Sequence, residues 1–119
     1  MNNKKLGSAF EQMFCQRLNE LGFWAHFVQP DPRGAQPFDV IAVKDTTAYA
    51  FECKTLDEAK VWFPYSRLEY NQIFACEKWL SCGNTMPTIV VLWRGDIYAV
   101  PYNKLKESKK VRIELCTKI

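Results

Sequence analysis

Between Phe10 and Leu21 the apolar positions recur at three- and four-residue steps, through Phe10, Met13, Phe14, Leu18 and Leu21. That period predicts a helix with one buried stripe. Ser8 stands where an N-cap would, with Glu11 three residues on in capping-box spacing, and Gly22 suits the C′ stop. From Phe23 the pattern changes. FWAHFVQ, residues 23–29, is aromatic and β-branched and reads as a strand, and PDPRGAQ, residues 30–36, reads as a loop by its Pro and Gly. Two further strands follow, Phe38 to Val43 and Ala48 to Thr55, joined by the short polar turn Lys44 to Thr47. LDEAKVWFPYS, residues 56–66, is an irregular crossing in which Pro64 bars a helix. Ser66, as an N-cap with Glu69 three residues on, opens a second helix running to about Cys82. Its apolar face is Leu68, Ala75, Cys76, Trp79 and Leu80, and Gly83-Asn84 end it. TIVVLWR, residues 88–94, is nearly all apolar, as a strand covered on both faces would be. Residues 97–102 with Pro101 suit an edge strand or strand end, and VRIELC, residues 111–116, alternates like one more strand.

The predicted order is α-β-β-β-α-β-β. Three consecutive strands suit a meander, and the helix after them suits a crossover. The expected fold is α/β, with a mixed central sheet flanked by helices. At 119 residues the chain is long enough for one core and too short for two, so residues 1–119 are expected to be one domain.

Three positions break the apolar pattern of the central strands. Asp39 opens the first of the paired strands, and Glu52 and Lys54 close the second on a shared face. A hairpin brings Asp39 and Glu52 together at the open end of a largely apolar sheet. Unpaired buried charge costs on the order of several kcal/mol, and a divalent cation such as Mg²⁺ relieves it. Two helical residues intrude in the same way. Glu11 lies at the border of the first helix's apolar stripe, either as a capping-box acid or as a carboxylate leaning toward Asp39 and Glu52. Gln72 lies in the centre of the second helix's apolar face, either as a satisfied core amide or as a polar group aimed at the same site.

Charge and composition narrow the classes. Net charge is +3 with pI about 8.6, which permits nucleic-acid binding without demanding it. Five scattered cysteines, no CxxC pair and a lone His26 argue against a zinc site and a disulfide framework. Free thiols in a reducing cytosol are expected. The N-terminus lacks the apolar core of a signal peptide and no run approaches a membrane span, so the expected setting is soluble and cytoplasmic, in a bacterium or a phage-infected host cell.

An acid in the first helix, Pro37-Phe38-Asp39, and then Glu52-Cys53-Lys54 together resemble the motif of the PD-(D/E)XK nuclease superfamily, over nearly the whole chain from Gly7 to about Tyr102. The resemblance implies a restriction-endonuclease-like fold. Gly7-x-x-Phe10-Glu11, Phe51-Glu52-Cys53-Lys54, Phe63-Pro64-Tyr65 and Asn71-Gln72 are most similar to RecU-type Holliday junction resolvases and their small phage-encoded relatives. That implies a homodimer cutting two strands of a four-way DNA junction. The Lys44 to Thr47 turn leaves no room for the stalk of the bacterial resolvases.

In this reading Asp39 and Glu52, with the Cys53 carbonyl, are hard oxygen ligands for Mg²⁺, with Mn²⁺ able to substitute. Glu11 is a further ligand, directly or through water. Lys54 orients or deprotonates the attacking water, and Gln72 positions the water or the scissile phosphate. Arg33, Lys60 and Arg67 are candidate phosphate contacts. Trp62, Phe63 and Trp93 are either core or dimer contact. Two alternatives stand beside a junction resolvase: a flap, repair or restriction-type nuclease of the same superfamily, and a non-catalytic DNA-binding protein.

Overall fold

The computed structural model describes residues 3–29 and 36–119, with side chains from residue 9 onward. The helix α1 (Asn3–Glu20) leads into a meander of β1 (Trp24–Phe27), β2 (Val40–Lys44) and β3 (Thr47–Thr55). A short strand β4 (Trp62–Pro64) and helix α2 (Tyr70–Ser81) cross over to β5 (Thr88–Trp93) and β6 (Asp96–Pro101). The chain closes with α3 (Tyr102–Ser108), β7 (Lys110–Arg112) and β8 (Thr117–Lys118). The main sheet has the order β1-β2-β3-β5-β6-β8, and β4 and β7 form a separate antiparallel ribbon. Among the described strands only β3 and β5 pair in parallel, and the β4–α2 crossover between them is long enough to return the chain in the same direction.

Strand alternation divides the core in two. Val40 and Ala42 on β2, Phe51 on β3 and Val90 on β5 face Phe10, Phe14 and Leu18 of α1. Ala50, Ile89 and Val91 face the other way, onto Leu68 and Cys76 and onto Tyr102 and Leu105 of α3. Glu52 and Lys54 have the parity of Ala50, so they lie on the α2 side. The β5 strand has buried residues on both faces, as its apolar run predicts. Trp93 and Phe63 are buried in the second cluster, which settles them as core, whereas Trp62 is exposed.

The mixed sheet flanked by helices is as expected, and several boundaries are not. The first helix begins at Asn3, which puts Ser8 inside it and removes the N-cap reading of Ser8. The second begins at Tyr70, with Glu69 rather than Ser66 as N-cap. Glu69 and Gln72 form a reciprocal capping box that satisfies backbone N–H groups left over at the helix start, and residues Tyr65–Arg67 make a 3₁₀ turn before it. The tail adds a helix, α3, that the predicted order lacks. Tyr102 and Leu105, three residues apart, are its buried positions. The 111–116 segment divides into β7, a 3₁₀ turn and β8. All five cysteines are free. Among the described residues no helix is long and apolar enough to cross a membrane.

The β2–β3 hairpin turns on two residues, Asp45 (φ 51°) and Thr46 (φ 63°). Both are left-handed, as a type I′ turn requires, yet neither is glycine and Thr46 is β-branched. The D45N/T46G variant is therefore expected to be more stable by about 1 kcal/mol, raising Tm by roughly 4 °C. A thermal melt with unchanged or lowered Tm contradicts the assignment of strain to this turn.

Candidate active site

The centre of the site is set by strand register. Val40 pairs with Phe51, so Asp39, one residue before β2, stands opposite Glu52. Its backbone is held from both sides: its N–H donates to the Phe51 carbonyl (3.2 Å), and its carbonyl accepts the Val28 N–H (2.7 Å). The side chain is fixed as well, because the Cys53 backbone N–H donates to Asp39 Oδ2 (2.8 Å). Glu52 lies deeper, paired with Ile89 of the central strand β5. It is 2 % exposed and is the one buried charged residue among those described. Its Oε2 is buried with no hydrogen-bond partner.

Such a carboxyl resists ionisation. Burial first, and then the neighbouring Asp39 carboxylate, push the Glu52 carboxyl up to about 10, while Lys54 on the same strand face pulls it back in part. Glu11 reaches the same field from α1. Its carboxyl is pushed up to about 7 by burial and then by Asp39. The Cys53 thiol is driven well above its ordinary range by burial and by the three acids. One turn after Gln72, the Cys76 thiol is pushed up to about 12 by burial and then by Glu52. The α2 face bearing Gln72 and Cys76 thus covers the acid. With Ser8 inside α1, the capping-box reading of Glu11 falls, and its titration is tied to Asp39.

These groups fit a hard divalent cation. They offer carboxylate oxygens, one of them orphaned in the interior, and no soft ligand is required. They are not a closed ligand set as they stand: among the described residues, no three His, Cys, Asp or Glu side chains are grouped closely enough to hold a metal ion.

The remaining candidates separate. Gln72 Oε1 accepts the Glu69 backbone N–H (2.9 Å), so its oxygen caps α2 instead of pointing to the acids as expected. Helix-start geometry at the third position takes precedence over the apolar-face reading. Arg67 stacks on Phe63 (5.2 Å to the ring centroid) and donates from Nη2 to the Thr55 carbonyl (2.9 Å). That tether, invisible in the sequence, sets an exposed guanidinium beside the end of β3, one residue past Lys54. Lys60 is exposed on the loop after β3, where its backbone N–H donates to the Asp57 carbonyl (3.0 Å) and its carbonyl accepts the Trp93 indole N–H (2.8 Å). Arg33 lies outside the described residues. His26 is exposed against Trp24, apart from the acids.

The raised Glu52 titration couples to stability with a definite sign. The metal-free folded state binds a proton more tightly than the unfolded chain, whose carboxyl titrates near its ordinary 4.5. Stability from this group is complete below about 4.5 and is lost as pH rises toward about 10. In thermal melts with EDTA, Glu52→Gln is expected to melt above the wild type at pH 8, with a gap that shrinks toward pH 5. A gap independent of pH contradicts a protonated buried Glu52.

Comparison with known proteins follows the same outline. No curated protein sequence matches the chain. Among solved structures, the Holliday junction resolvase Hjc of the archaeal hyperthermophile Archaeoglobus fulgidus superposes with a TM-score of 0.73 at 20 % identity, over 94 % of this chain and 95 % of that one. That likeness establishes the fold. The family model for the archaeal Holliday junction resolvase matches residues 2–118, in line with the resemblance to the PD-(D/E)XK junction resolvases. The chain belongs to the archaeal Holliday junction resolvase (Hjc) family.

Proposed function

We propose that this junction-resolving nuclease hydrolyses DNA through Asp39, Glu52 and Lys54, with Mg²⁺ as the working ion and Mn²⁺ able to replace it. The observation that carries the reading is Glu52, a carboxyl buried in the central sheet with one oxygen unpartnered, directly across from a second acid. A fold does not keep such a group for stability, since an apolar residue there is cheaper. Asp39 and Glu52 would hold the ion, with the Cys53 carbonyl as a further oxygen donor and Glu11 as an outer ligand. A bound divalent ion supplies Lewis-acid stabilisation of the phosphate and lowers the pKa of an attacking water.

The chain's own side chains do the rest. The Cys53 N–H fixes one Asp39 oxygen and leaves the other to face Glu52. Lys54, on the Glu52 face of β3, orients the incoming water and offsets charge that develops on the phosphoryl oxygens. Arg67, held at Thr55, takes a phosphate next to the scissile one, and Lys60 and Arg33 are candidate contacts for phosphates further out. Gln72 is a positioning residue here, since it caps the helix that covers Glu52. The domain spans residues 1–119 and works in the cytoplasm as a homodimer, two sites cutting two strands. Tyr70 and Phe74, one helical turn apart on α2 and 86 % and 65 % exposed, give it an apolar face for a second copy.

The test is cleavage of a synthetic four-way junction, a flap and a plain duplex, each with Mg²⁺ and with EDTA. The expected result is paired nicks near the crossover of the junction with Mg²⁺ alone. Asp39→Ala and Glu52→Ala are each expected to abolish cutting while junction binding persists. Lys54→Ala should lower the rate on the order of 10²- to 10⁴-fold at saturating metal. Undiminished cutting by Glu52→Ala overturns the site, and equal cutting of flap or duplex overturns the junction preference.

A further inference from the structure

The β4–β7 ribbon carries a surface that the cleavage chemistry does not use. Phe63 and Val111 are directly paired and point into the core, so Trp62, Pro64, Lys110 and Arg112 point outward. Lys110 Nζ lies 4.6 Å from the Trp62 ring centroid, and Lys109 Nζ lies 5.2 Å from that of Tyr65. Both lysines therefore rest on aromatic rings and keep their charge at the surface, while Trp62 remains 43 % exposed. Arg112 is paired with Glu114. Lys109 also occupies a left-handed position (φ 67°) at the end of α3, where glycine fits without steric penalty. Its carbonyl accepts the Tyr65 N–H (2.7 Å), which locks the basic corner to the ribbon. Three residues past Pro64 the chain reaches Arg67, which is tethered to the Thr55 carbonyl at the end of β3.

We propose that the outward face of this ribbon is a second, metal-independent DNA contact that seats one arm of the junction. Lys109 and Lys110 take backbone phosphates, and Trp62 lies against a sugar or an unstacked base where the arm enters the site. Lys110 and Arg112, two residues apart on one strand face, are about 7 Å apart along the chain, comparable to neighbouring phosphates on one DNA strand. Lysine over an exposed indole is also how proteins combine charge with stacking on nucleic acid. A polyanion fits this face better than a second copy of the chain does, since a two-fold contact of the ribbon with itself would oppose like charges. The inference rests on the reading of the site as a junction nuclease.

The experiment is binding of a fluorescently labelled four-way junction, with Ca²⁺ in place of Mg²⁺, between 50 and 200 mM salt. Lys109→Glu with Lys110→Glu is expected to raise Kd about tenfold or more and to lower the slope of log K against log salt by about 2. Trp62→Ala is expected to raise Kd at least about fivefold. Lys118→Glu, at the far edge of the sheet beside Asp96, is the charge-matched control for Lys110→Glu and should stay within about twofold of wild type. If the glutamate variants unfold, Lys109→Gln with Lys110→Gln is expected to show the same loss of slope. Wild-type affinity and slope in the double variants overturn the proposal, and so does an equal loss in Lys110→Glu and Lys118→Glu. A wild-type protein that neither binds nor cuts the junction refutes the nuclease reading itself.

Discussion

The pairing of Asp39 with Glu52 across the β2–β3 hairpin is the constraint on which the rest of the site depends. Two carboxyls stand face to face, and the inner one has no hydrogen bond for one of its oxygens. Neither desolvation nor Coulomb repulsion favours this, and the folded chain answers by holding a proton on Glu52. The arrangement persists because its surroundings are over-determined. Glu52 sits on a strand bonded on both sides, antiparallel to β2 and parallel to β5, and Asp39 is gripped by three backbone hydrogen bonds. A rigid sheet thus carries an unfavourable pair of acids whose stabilisation awaits a cation.

The helices complete this in different ways. On one face α1 buries Phe10, Phe14 and Leu18 against the sheet and, at the border of that stripe, brings Glu11 into the field of Asp39. On the other, α2 covers Glu52 with the face bearing Cys76, and Glu77 ties α2 to α3. Tyr102 Oη donates to Glu77 Oε2 (2.5 Å), and Lys106 donates to the same oxygen (2.9 Å). The crossover that makes β3 and β5 parallel is therefore also the device that encloses the acid. Its first segment, β4, pairs with β7 to form the basic ribbon.

What the sequence discloses, and what it hides, divides along local and non-local lines. The sheet, the crossover and the acids just before β2 and on β3 are legible because strand alternation makes a charged residue in an apolar run conspicuous. Glu11 is half legible: its place on the stripe border is visible, but only the true helix start at Asn3 decides between cap and site. Gln72 misleads for the same reason, since shifting the N-cap from Ser66 to Glu69 turns a core amide into a capping group. The β4–β7 ribbon is hidden because residues 62–64 meet 110–112 nearly fifty positions away, and no local period encodes that pairing. The tether of Arg67 to Thr55 is hidden likewise. The α3 helix is obscured by its lysines, which advertise a solvated tail while Tyr102 and Leu105 anchor it to the core.

The central claim, that a proton on the buried acid pair gives way to a divalent cation, is tested most directly by counting protons. Calorimetric titration of Mn²⁺ or Mg²⁺ into the metal-free protein at pH 7.5, repeated in buffers of different ionisation enthalpy, gives the number released per ion bound. With Glu52 titrating about 10 and Glu11 about 7 before the ion enters, the account predicts release of slightly more than one proton per bound ion, and only the roughly one-quarter proton of Glu11 for Glu52→Gln. Tight binding without proton release, or the same release from Glu52→Gln, would contradict it.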